Sequence, residues 1–325
     1  EPLVSFTASG MVIDGTGNGI ANSDVLIYNN DFTFNVTADA NGNFEINSIY
    51  EGSYEVVAGQ WGYITSCDNE YVDDSSPITI TLDEGYYDDF TFDFGWTVSG
   101  GVTQINDGMW ERGFPEGTSR QGQDYNPDTD VNNDCMDFAY VTGLNSGSQV
   151  SDYDVDDANT ILTSPLFDLS SNQDYLLSYY SWFSNGFPGW GGGSPANDSL
   201  TVSISNGSTT VPLEIMTVNS PDMGQWNSRS FNLAQYLPLT STMYLTIETA
   251  DWDALGGHWV EGGFDKFEIL NVTPTINEQL LGTSNGNVVK VVDVLGREVS
   301  LQSRSLFPLF YIYENGVVEK KVIIR

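Results

Sequence analysis

Apolar and polar positions alternate with period two from the start of the chain. "VSFTASGMVID", "SDVLIYNN", "FTFNVTADANGNFEI", "EGSYEVVAGQWGYI" and "PITITLDEG" follow one another, separated by turn-forming clusters such as "GTGNG". Such alternation buries one face of a strand and the Gly, Asn and Asp clusters turn the chain, so residues 1–92 predict short antiparallel strands. Helical periodicity is absent. From Phe94 to Asn271 the pattern stays β, with longer loops and clustered aromatics in "DGMWERGFPEGTSRQGQDYNPDTDVNNDCMDFAYVTG", "YLLSYYSWFSNGFPGWGGGSPANDSLTVSISNG" and "MYLTIETADWDALGGHWVEGGFDKFEIL". "NVTPTINEQ" reads as a linker with a Thr-Pro break. Beyond it, "VVKVVDVLGREV" predicts a strand and "LFYIYENGVVEKKVIIR" a hairpin turning at "ENG". The expected fold is therefore all-β, with domains at 1–92, 93–271 and 280–325 and a linker at 272–279.

Composition sharpens these boundaries. The 325 residues leave room for two or three cores. Ten Lys and Arg against 45 Asp and Glu give a formal charge of -35, and the first basic residue is Arg112. From Lys290 onward six basic residues face four acidic ones, so the tail is +2 and the body before it -37. A change of sign and of style marks a segment with a separate job, with a boundary near residue 275. The negative field repels phosphate backbones and anionic lipid, which argues against a nucleic-acid partner. With 40% hydrophobic and 13% aromatic residues the chain is too apolar for acidic disorder, so the charge coats real cores.

No apolar run approaches the roughly 18 to 20 residues of a membrane span. No basic-plus-apolar signal opens the chain at Glu1, so the sequence is expected to begin after processing or partway along a precursor. Cys67 and Cys135 fall in different predicted domains; an inter-domain disulfide suited to an oxidising exterior and two separate thiols are both open.

Three resemblances follow from these stretches. The order "SGMVID", "GNGIANSDVLIY", "FTFNVTADANGNFEINSIYEGSYEVVAGQWGYIT" resembles the carboxypeptidase regulatory-like domain, which implies a seven-stranded transthyretin-like sandwich serving as a spacer without catalytic residues. Residues 93–271 resemble the MAM-like or concanavalin-like jelly rolls appended to secreted bacterial peptidases, zinc carboxypeptidases among them. "VVDVLGREV" and "LFYIYENGVVEKKVIIR" resemble the C-terminal sorting domain of the type IX secretion system of Bacteroidota. That likeness implies recognition by the outer-membrane translocon and its carrier barrel, then attachment at the cell surface, with Asp293, Gly296, Arg297, Tyr311, Gly316, Lys320 and Lys321 as the sorting signal.

Candidate chemistry is weighed against that background. The single histidine, His258 in "GGHWVEGG", lacks the second histidine of a zinc hydrolase, although Glu261 lies three residues on. There is no G-x-S-x-G elbow. No catalytic residue is assigned, and the expectation is a non-enzyme. A glycan hydrolase using two jelly-roll carboxylates is the alternative, as is a self-assembling surface subunit.

Oxygen donors cluster at "DYNPDTDVNND" (Asp124, Asn126, Asp128, Asp130), "DYDVDD" (Asp152, Asp154, Asp156, Asp157) and "EGGFD". Neither Asp-rich run is an EF-hand, because the sixth position is Thr129 or Asp157 and the twelfth Cys135 or Thr163. In the resembled jelly rolls an acidic loop before "TSP" and a Glu/Asp pair on the last strand frame a structural calcium, which points to Asp154, Asp156, Glu261 and Asp265. Around the glycine-rich loop "SWFSNGFPGWGGGSPANDS", Trp182 and Phe183 suit a strand with at least one of them buried, leaving Phe187 and Trp190 as loop-tip contacts for a surface glycan or protein. The sequence thus predicts an extracellular or cell-surface binding, adhesion or targeting protein, conceivable as the accessory region of a larger peptidase.

Overall fold

The computed structural model describes residues 4–120, 123–132, 134–144, 152–171, 174–186, 195–252, 257–271, 288–292, 298–299, 309–313 and 318–321. Among them there are strands and two short 3-10 turns but no α-helix. Among the described residues no helix is long and apolar enough to cross a membrane. Contacts divide the chain into two units, Glu1–Thr273 and Pro274–Arg325.

The first unit opens with a sandwich of β1 (Ser5–Asp14), β2 (Asp24–Tyr28), β3 (Thr33–Thr37), β4 (Asn43–Tyr50), β5 (Gly52–Gly59), β6 (Ser66–Val72) and β7 (Ile78–Leu82). Its sheets run β4-β1-β7 and β3-β2-β5-β6, with β1 and β7 parallel. Ile78, Ile80 and Leu82 of β7 are buried while Thr79 and Thr81 are exposed, which is the alternation the sequence carries. Val12, Ile27, Ile49 and Val56 complete the core. The turns are built by aspartates: Asp14 accepts from the amides of Thr16 (2.8 Å) and Asn18 (2.9 Å), and Asp39 from those of Asn41 (2.8 Å) and Asn43 (2.9 Å). The Thr16 hydroxyl, which also donates to Asp14, and then the Asn18 amide hold that carboxyl below the usual range, as the amides of Asn43 and Asn41 do for Asp39. Gly42 has φ +79, and a side chain there would collide with the Val12 carbonyl, so the turn demands glycine.

The second sandwich contains β8 (Tyr86–Asp88), β9 (Thr97–Gly100), β10 (Trp110–Gly113), β11 (Ser119–Arg120), β12 (Gln123–Asp124), β13 (Ala139–Thr142), β14 (Asn159–Thr163), β15 (Tyr175–Gly186), β16 (Ser199–Ser205), β17 (Thr210–Thr217), β18 (Asn227–Asn232), β19 (Tyr244–Ala250) and β20 (Trp259–Asn271). One sheet runs β10-β13-β20-β15-β18, with β8 also paired to β20; the facing sheet runs β17-β16-β19-β14-β9. Leu200, Val202, Leu245 and Ile247 from the second sheet meet Leu177, Tyr179, Val260, Phe264 and Phe267 from the first.

The two sandwiches meet over an aromatic junction. Trp61 stacks on Phe267 at 5.8 Å, lies 5.4 Å from Tyr86, and donates from Nε1 to the Leu166 carbonyl at 2.8 Å. Cys67 of β6 is bonded to Cys135, with Cα atoms 5.7 Å apart, so the inter-domain disulfide is the alternative that the fold contains. Leu26, Val57 and Phe92 pack beside that bridge. The spacer expected from the sequence is therefore seated firmly on its neighbour.

In the second unit β21 (Val288–Val292), β22 (Glu298–Val299), β23 (Leu309–Tyr313) and β24 (Val318–Lys321) form one antiparallel sheet in the order β22-β21-β23-β24.

Candidate functional site

Register along β20 decides which side chains share a face. Tyr140, Phe264 and Ser181 are cross-strand partners directed into the core, so their neighbours Val141, Gly263 and Trp182 point the other way. By the same alternation Trp259, Glu261 and Asp265 line that outer face, where exposure to water would be the default. All three are nevertheless buried.

The cover is a strap formed by residues 114–120 and 123–132, whose second arm follows β20. Tyr125 packs edge-on against Trp259 at 5.1 Å, and its carbonyl accepts from Ser184 Oγ. Asn126 Nδ2 donates to Glu261 Oε2. Thr129 accepts from Trp226 Nε1 at 2.8 Å, and Val131 donates its amide to Asp265 Oδ2 at 3.2 Å. Beneath the strap Trp182, 1% exposed, lies against Gly263, where a β-carbon would collide with the indole ring. Trp182 and Phe183 are thus both buried, on opposite faces of β15.

The expected calcium ligands do not converge on one point. Glu261 and Asp265 are four residues apart on one strand, about 13 Å at roughly 3.3 Å per residue, too far for one ion with donors near 2.4 Å. Asp265 instead meets Asp130 and Asp134, with one oxygen from each within 4.8 Å of the others. Burial, reinforced by Asp134, pushes the Asp130 carboxyl up to about 8; burial and Asp89 push Asp134 to about 7. Burial, then Asp130 and Asp134, holds Asp265 well above the ordinary range. Asp130 is 5% exposed, and Oδ2 of both Asp130 and Asp134 is buried without a hydrogen-bond partner. Three carboxylates, two of them with an orphaned oxygen, fit an oxygen-seeking cation such as calcium. Lys266 Nζ is directed to the Asn132 carbonyl at 3.1 Å.

Glu261 belongs to a different group. Burial, then the neighbouring Asp154, keeps its carboxyl well above the usual range, and burial plus Asp156 pushes Asp154 up to about 8. Asp156 is exposed, and the acid it faces is Asp251, which with burial raises its carboxyl. His258 is buried beside Asp198 and Asp251. Asp130 and Asp134 were visible in the sequence as an acidic run, but nothing in a period-two pattern signals that this run returns to β20 some 130 residues later.

Between the two arms of the strap and the turn before β18 lies a cleft of about 360 Å³. Thr118, Asn126, Asp128, Thr129, Gln225 and half-buried Trp226 supply its recognition groups, and Asp128 is the one carboxylate among its described lining residues. The sequence reading did not single out Trp226. Phe187 and Trp190 lie outside the described residues, as do Asp293, Gly296, Arg297 and Gly316. Tyr311 sits in β23 opposite Val291 and Glu319; Lys320 and Lys321 lie in β24 opposite Phe310 and Leu309. Trp252 is 68% exposed, whereas Trp259 is buried.

Residues 7–84 match the carboxypeptidase regulatory-like domain family. No curated protein sequence matches the chain. Among solved structures, carbohydrate-binding modules of the β-sandwich superfamily align with 10% identity and a TM-score of 0.31, over 83% of this chain and 94% of theirs. The K1 cleaved adhesin domain of Lys-gingipain from Porphyromonas gingivalis W83 aligns with 15% identity and a TM-score of 0.27, over 54% and 98%. SGBP-B from a complex xyloglucan utilization locus in Bacteroides uniformis aligns with 11% identity and a TM-score of 0.27, over 83% and 70%. At such scores these likenesses carry no functional argument, which rests on the site. The family match thus falls on the first sandwich, within an architecture that is all-β among the described residues.

Proposed function

We propose that the protein is an exported cell-surface binding protein whose second sandwich holds neutral glycans in the cleft between the strap and Trp226. The cleft carries this reading: one aromatic wall for a sugar face, with amide, hydroxyl and carboxylate groups for its hydroxyls. The charge of -35 selects against acidic polysaccharides. Calcium at Asp130, Asp134 and Asp265 pins the root of the strap to β20 and so shapes the cleft from beneath. Phe187 and Trp190 serve as further ligand contacts, and the final unit serves as the type IX sorting domain, engaging translocon and carrier barrel before surface attachment. Binding is favoured over hydrolysis because glycoside cleavage uses two carboxyls flanking the bond, while the described cleft lining offers Asp128.

Affinity electrophoresis through gels containing neutral or anionic polysaccharides tests the reading. At least one neutral polymer is expected to retard the calcium-loaded chain, and Trp226→Ala to lose at least about 1 kcal/mol of that binding. Retardation by none of the neutral polymers, or equal retardation of the variant, contradicts it.

A further inference from the structure

At the end of the second sandwich four polar side chains converge from both sheets. Asn185, in the last turn of β15, and His258, just before β20, come from one sheet; Asp198, just before β16, and Asp251, just after β19, come from the other. His258 is 2% exposed, and its Nδ1 lies 2.6 Å from Asp198 Oδ2. Its backbone amide donates to Asp251 Oδ2 at 2.7 Å. One oxygen from each aspartate and a ring nitrogen of His258 fall within 4.8 Å of one another.

Asn185 adds an independent observation. It is 1% exposed, its Nδ2 donates to Asp198 Oδ2 at 3.0 Å, and the Oδ1 of the same amide is buried with no hydrogen-bond partner. A cation bound beside two carboxylates would satisfy this orphaned acceptor as well. Asp251 Oδ2 and Asp156 Oδ1 both border Gly257, 2.5 and 3.3 Å from a β-carbon built there.

We propose that Asp198, Asp251 and His258, with the Asn185 amide oxygen, bind a divalent transition-series cation of the zinc type, stapling the two sheets together at this end. Imidazole nitrogen beside carboxylates suits zinc, whereas calcium takes oxygen donors. Zinc about 2.1 Å from each donor spaces tetrahedral ligands roughly 3.4 Å apart, so small side-chain rotations suffice. This site is separate from the Asp130, Asp134 and Asp265 group, and it stands whether or not the glycan reading does.

The chain has one histidine, so a tag-free, nitrogen-15-labelled protein gives a single set of imidazole signals. After chelator stripping, zinc is expected to shift that set, while excess calcium leaves it in place. Asp198→Asn is expected to weaken zinc binding more than about tenfold, the loss reached by removing even an outer-shell partner of a metal site. Asp265→Asn is expected to leave the zinc-induced shift intact. An imidazole unmoved by excess zinc overturns the proposal, as does an equal response to calcium or an unchanged affinity in Asp198→Asn. If that variant does not fold, cobalt added to the wild-type chain decides the matter: a visible absorption band displaced by zinc supports the site, and its absence overturns it.

Discussion

Single residues in the second sandwich carry carboxylates where water is excluded, and Asp88 is the clearest case outside the metal-fitting groups. Its Oδ1 accepts from the Phe90 amide at 2.8 Å and its Oδ2 from Trp96 Nε1 at 2.8 Å. Burial nevertheless dominates and raises its carboxyl well above the ordinary range, while Arg112 opposes the rise. A raised folded pKa means that the fold favours the protonated form: the stabilisation is complete below the unfolded value near 4 and is lost as pH rises through the folded value. Wild type should therefore gain on Asp88→Asn as pH falls from 8 to 5, measured by chemical denaturation of both at each pH. A difference independent of pH contradicts this assignment.

Elements were more legible than their meeting points. The alternation in "PITITL" gives β7 and its buried face directly, and "HWVEGGFDKFEIL" places Trp259, Glu261 and Asp265 on one side of β20. What the pattern does not contain is the strap: a loop with little periodicity covers that face, turning apparent surface acids into buried ones. Shared facing was therefore readable for Glu261 and Asp265, but a shared ion was not, because strand rise separates them. The ring of Trp61 likewise gave no sign that it closes the junction between sandwiches. Because it packs on Phe267 and Tyr86 and donates to Leu166, Trp61→Ala should cost about 3 kcal/mol in denaturant unfolding of the whole chain. A loss under about 0.5 kcal/mol, typical of surface changes, would mean that the junction contributes little.

At the scale of the molecule, a charge of -35 leaves the folded chain repelling itself, and the described acids concentrate part of that charge beside β20. We propose that these acids hold cations that fix the strap rather than perform catalysis. All-β architecture and the change of charge at the tail were open in the sequence; the partition of acids among separate groups depends on long-range return of the chain and was not. The most direct test is the thermal midpoint of the chelator-stripped chain without and with calcium. Calcium at about a hundred times its Kd adds about 2.7 kcal/mol, so a reversible rise of about 5 °C is expected, with Asp265→Asn failing to show it. An identical midpoint in both conditions would contradict the claim and leave the carboxylates around β20 without the role assigned to them.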